Sequence, residues 1–169
     1  MEQDNATGEV LKTFVQSLDE QFARLHTRSR ALVAITPAEQ FYRQPRKATS
    51  ALPIYSCGEH LLRSAAAVEQ TFGGITANLW DDPFEWTLPE ALSTPARVVE
   101  YLDEVEATRR RGFALLTTDA DLSKEIALPS GEMQTLCALL LETLSRAAHY
   151  QGRAYVSFRL FSDLRLPPV

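Results

Sequence analysis

The chain carries three histidines, His26, His60 and His149, the side chains best suited to hold a metal or move a proton near neutral pH. His149 opens a run, Ala148-His149-Tyr150-Gln151-Gly152-Arg153, in which a ring nitrogen, a phenol, an amide and a guanidinium stand together. Imidazole suits zinc, nickel and iron, and an open site needs at least a third donor. Cys57, one turn before His60, and Glu142, two turns before His149, are the candidate additional donors. His60 and His149 stand on different predicted helices, as two ligands of a metal site in a helical bundle would. His26, between Leu25 and Thr27, reads as a rim residue.

Other chemistries find less support. Cys137 and His149 are twelve residues apart on one predicted helix, about 18 Å along its axis, and so are no direct nucleophile pair. Cys57 lies in an apolar stripe, where burial raises a thiol pKa and makes it inert. There is no Gly-rich phosphate loop, Ser-His-Asp ordering or zinc-finger spacing.

The elements that must position these residues follow from helical periodicity. Leu11, Phe14, Leu18, Phe22, Leu25 and Leu32 predict a helix from Gly8 to Thr36, and Thr36-Pro37 predicts the capped start of a short piece over Ala38 to Tyr42. Pro45 to Pro53 has loop composition, with Arg46 and Lys47 exposed. Cys57, Leu61, Ala65, Val68 and Phe72 mark a second long helix from Tyr55, ended by Gly73-Gly74. Between Ile75 and Ser93 stand Pro83, Pro89, Trp80, Phe84 and Trp86, the composition of a packed lid. Thr94-Pro95 opens a third long helix striped by Val98, Leu102, Val105, Phe113 and Leu116. On it, Arg109-Arg110-Arg111 reads as a solvated face paired with Glu104 and Glu106. After a connector from Thr118 to Ser130, with Ile126-Ala127-Leu128 as a short extended piece, the last helix is expected from Gly131 to about Leu164.

That last helix has Glu142 as its one charge between Met133 and Ser145, so neighbours must cover most of its circumference. With Met133, Cys137, Leu140, Leu144 and Ala148 as its core stripe, His149 falls roughly 140° away on a flank. Gly152 suggests a close helix contact or a bend. Leu136, Leu139, Leu140, Leu141 and Leu144 exceed what one bundle should bury, which predicts a homodimer through this helix.

Composition bounds the rest. With 169 residues and 45% hydrophobic content the chain is expected to form one domain, residues 1–169. A net charge of −5 argues against nucleic acid as partner. The acidic start Met1-Glu2-Gln3-Asp4 is unlike a signal peptide, no apolar run approaches the roughly 18 residues of a membrane span, and two cysteines in helical patterns suit a reducing, cytoplasmic setting.

Two segments carry a family resemblance. Ser56-Cys57-Gly58-Glu59-His60-Leu61-Leu62, and His149-Tyr150-Gln151-Gly152-Arg153 followed by Tyr155-Val156-Ser157-Phe158-Arg159-Leu160, resemble the second-helix and fourth-helix segments of the DinB/YfiT-like superfamily, bacterial four-helix bundles that include proposed metal-dependent enzymes. The resemblance implies an all-α, up-down four-helix bundle with a long crossover or lid connection. It also implies a metal site with His60 as first ligand and two residues four apart on the last helix, with His60 and His149 within roughly 8 Å, close enough to share an ion or a short water chain. Here the chain departs from the pattern: if His149 is the second of that pair the first is Ser145, and in the other register the two are Arg146 and Tyr150. The resemblance thus implies a diverged metal-dependent small-molecule transferase or hydrolase with an incomplete histidine site, its zinc or nickel weakly bound or absent. The competing class is a metal-free bundle that binds a small ligand or a protein partner through the same groove.

Overall fold

Four long helices begin alike. A hydroxyl side chain at Thr13, Ser56, Thr94 or Thr135 accepts a hydrogen bond from the backbone N–H three residues on, satisfying a donor the first turn leaves open. The computed structural model describes residues 13–45, 54–83, 87 and 90–168. In chain order its elements are α1 (Phe14–Ile35), α2 (Ala38–Phe41), α3 (Cys57–Ala77), α4 (Pro95–Phe113), a 3-10 turn (Asp119–Ser123), strands β1 (Glu125–Ala127) and β2 (Met133–Thr135), and α5 (Leu136–Arg159).

The long helices form an all-α bundle in which α3 packs on α4 and α5, and α1 closes the ring against the same two. Consecutive α1 and α3 therefore face each other mainly across the bundle, and the connection from α3 to α4 joins direct neighbours. At the centre, Phe22, Phe72 and Phe113 from three helices bring their rings to 5.3–5.7 Å between centroids, the edge-on and tilted arrangements that aromatic quadrupoles favour. Gly112 makes room for this cluster, since a Cβ there would stand 2.3 Å from Phe72 Cδ1. Several buried polar groups are paired across helices: Thr71 with Thr143 at 2.7 Å, Ser64 Oγ donating to the Ala147 carbonyl at 2.8 Å, and Gln151 Nε2 donating to the Leu25 carbonyl and Ser29 Oγ, both at 2.8 Å.

Several expected boundaries shift. α5 starts at Leu136, not Gly131, because Met133–Thr135 pairs antiparallel with Glu125–Ala127, and Gly131 takes the positive φ of 85° that turns the chain between them. Its buried face accordingly runs through Leu136, Leu140, Thr143, Ala147, Gln151 and Ala154, whereas Met133, expected in the core stripe, is 57% exposed. Leu136, Leu139 and Leu140 are buried within one chain, Leu144 is half-buried and Leu141 exposed, so much of the apolar surface from which a homodimer was expected is covered by the bundle itself.

α3 runs through Gly73-Gly74 to Ala77 and ends where Asn78 adopts the left-handed conformation, φ 55°. Gly74 instead seats the indole of Trp80, whose ring a Cβ would meet at 2.4 Å. Thr36 does not cap α2: its hydroxyl donates back to the Leu32 carbonyl at 2.6 Å, and Pro37 takes the cap position. Arg109 is no solvated residue but 3% exposed, held by Glu106 and Asp19. Leu11, Arg46, Lys47, Phe84, Trp86 and Pro89 lie outside the described residues. Among the described residues no helix is long and apolar enough to cross a membrane.

Candidate functional site

The site is set by the first turns of α3. Ser56 and Glu59 cap the helix reciprocally: Ser56 Oγ accepts from the Glu59 N–H, and the Glu59 carboxylate accepts from the Ser56 N–H at 2.7 Å. This fixes Tyr55 at the helix entrance and sends His60 and Arg63, three residues apart, along one face. On α5, Tyr150 and Arg153 have the same spacing and meet that face. Between the two helices opens a groove of about 500 Å³, with Tyr55, His60 and Arg153 as its polar wall and Ile54, Val156 and Leu160 as its apolar one.

His60 is 7% exposed and set among rings: Tyr55 stands edge-on at 5.6 Å between centroids, and Tyr150 lies at 6.5 Å and 30°. Its Nδ1 is buried without a hydrogen-bond partner among the described residues. Burial, then the Arg153 charge, with Arg63 and His149 adding and Glu59 opposing, depress its pKa to about 4. The ring is therefore neutral at pH 7 and offers one N–H and one lone pair. Arg63 is tied to the same wall: its Nη2 donates to Tyr55 Oη at 2.9 Å, and its guanidinium carbon lies 4.1 Å from the Tyr55 ring centroid.

The other expected donors are placed differently. His149 is exposed, its ring edge-on to Tyr150 at 5.9 Å, so that His60 and His149 flank one phenol on the α3–α5 seam. Ser145 is exposed, and Arg146 reaches across the seam to donate to Gln70 Oε1 at 3.2 Å. Cys57 is buried, its thiol pushed up to about 12 by burial although a hydrogen bond with Thr36 works the other way. Glu142 accepts from Gln134 Nε2 at 3.2 Å, at the start of α5. His26, as a rim residue should, pairs on the surface with Asp103 at 3.1 Å.

Tyr55 and Arg63 are the site residues that periodicity did not single out. Their signal was present: Tyr55 immediately precedes the Ser56 cap, and Arg63 stands one turn beyond His60.

No family model matches the sequence, and no curated protein matches it. Among solved structures the chain is similar to the crystal structure of a proposed DinB family member from Exiguobacterium sibiricum. The two are 18% identical, with 92% of this chain and 97% of that one covered and a TM-score of 0.64. The likeness spans the bundle from end to end, and the chain has a DinB-like all-α fold.

Proposed function

We propose that the α3–α5 groove binds a small organic molecule directly, without a resident metal ion. The observation that carries this reading is His60: a buried, neutral imidazole whose Nδ1 lacks a partner and whose ring opens on a cavity of about 500 Å³. A buried polar atom left unpaired costs on the order of 1–3 kcal/mol, a cost that a bound ligand with a complementary group relieves.

The donor set does not fit a metal. Among the described residues no three His, Cys, Asp or Glu side chains form a group that could hold an ion. The positions from which α5 would complete the set carry the hydroxyl of Ser145 or the cation of Arg146. Arg153 and Arg63, which already disfavour a proton on His60, disfavour a divalent cation beside it by the same electrostatics. These features support a ligand-binding bundle over a metal-dependent transferase or hydrolase.

Ligand-observed NMR with a library of small organic fragments tests the reading. Fragments should bind the wild-type protein, and His60→Phe, which keeps a ring of similar size but removes its nitrogens, should weaken them. Fragment binding unaffected by His60→Phe would place the site elsewhere and overturn the proposal.

A further inference from the structure

We infer that the ligand is an organic anion, a carboxylate carrying a hydrocarbon arm; the inference rests on the reading of the groove as a metal-free binding site. The head-group end is defined by Arg153. Among the described residues no carboxylate forms an ion pair with it, although the chain as a whole carries a net charge of −5. Its guanidinium is close enough to His60 to be the largest charge acting on that ring. A guanidinium fork and a neutral imidazole, both lining one cavity, match the acceptor-only chemistry of a carboxylate. The His60 ring is nine-tenths buried and its Nδ1 unpartnered, so the donor or acceptor it presents is a built feature of the groove wall.

The arm end is defined by Val156 and Leu160. They follow Arg153 by three and seven residues, on α5 and at its C-cap, and they are 64% and 60% exposed where they line the cavity together with Ile54. Large apolar side chains left open beside a cavity mark contact surface for an apolar group. The rise from Arg153 to Leu160 is about 10 Å, which sets the reach of the arm from its charged head. A cationic ligand meets Arg153 as a like charge, and a neutral one leaves the guanidinium without a new partner.

Three probes with the same arm separate these cases: octanoate, 1-octanol and octylammonium, each titrated below its aggregation limit into the full chain, with binding followed by calorimetry and saturation-transfer NMR. Octanoate is expected to bind at least about tenfold more tightly than octanol, and octylammonium more weakly than either. Arg153→Gln, at an exposed position, should bring octanoate down to the affinity of octanol, and Val156→Asp should weaken both. Octanoate binding no tighter than octanol, or a preference that survives Arg153→Gln, overturns the inference. If octanol still binds and His60→Phe weakens it, the groove remains the site and only its ligand class is wrong. If instead a stoichiometric zinc ion is retained through His60, the metal-free reading itself fails.

Discussion

The Tyr55 hydroxyl accepts a hydrogen bond from Arg63 while the Tyr55 ring stands edge-on to His60, so one phenol holds a cation beside a buried imidazole. With Arg153 on the facing helix as the larger charge, the arrangement keeps His60 unprotonated. Titration of the imidazole by 1H–15N NMR should give a pKa near 4, and Arg153→Gln should raise it. A pKa at or above the ordinary 6.5 in the wild-type protein would contradict the described burial.

The same shift has a sign in stability. The folded pKa of His60, about 4, lies below the unfolded value, so on acidification the unfolded chain takes up the proton first. Stability linked to His60 is present above about pH 6.5 and is lost as the pH falls towards 4, by up to about 1.4 kcal/mol per pH unit. Denaturant melts of wild type and His60→Leu across this window measure it: the difference between them should shift in favour of the variant as the pH falls.

Two glycines of opposite surroundings should respond oppositely to alanine. Gly152 is exposed with nothing within 4 Å of an added Cβ, which removes the close helix contact expected from the sequence; Gly152→Ala should therefore stabilise by about 0.5–1 kcal/mol. At Gly112 the new methyl would meet Phe72 at 2.3 Å inside the aromatic cluster, and Gly112→Ala should destabilise by about 1–3 kcal/mol. Thermal melts of the two variants are the check.

How much of this could be read from the residues depends on whether the deciding contact is local. The α3 cap, the Thr94-Pro95 start of α4 and the stripe through Leu18, Phe22 and Leu25 are written in neighbouring residues, and the helices follow them, although Phe14, expected in that stripe, is exposed at the first turn of α1. Gly73-Gly74 reads as a helix end because its partner, Trp80, arrives from a later loop, and nothing local shows that the space is for an indole. Arg109 reads as surface because its partner Asp19 is ninety residues away on α1. The core stripe of α5 reads rotated because it is counted from Met133, which belongs to a short hairpin strand paired with Ala127 and lies before the helix begins. His60 and the run from His149 to Arg153 were found through residue type, whereas Tyr55 and Arg63 enter the site through packing between helices.

Arg109 supplies a further test. Its guanidinium is buried and hydrogen-bonded by Glu106 at 2.7 and 2.8 Å, and burial, with Arg110 adding, lowers its pKa to about 10. Glu106→Gln leaves that cation with Asp19 as its remaining carboxylate partner and should cost about 1.5–3 kcal/mol, whereas Arg110→Ala, removing the exposed partner of the same carboxylate, should cost under about 1 kcal/mol. Urea denaturation of both variants decides whether the arginine run is one face or two environments.

The claim that the groove holds no resident metal is tested most directly by calorimetric titration of zinc into tag-free, dialysed protein, alongside His60→Ala. The account predicts no stoichiometric site in the wild-type protein and the same trace for the variant. One equivalent of zinc bound tightly by the wild type and lost on His60→Ala would contradict it.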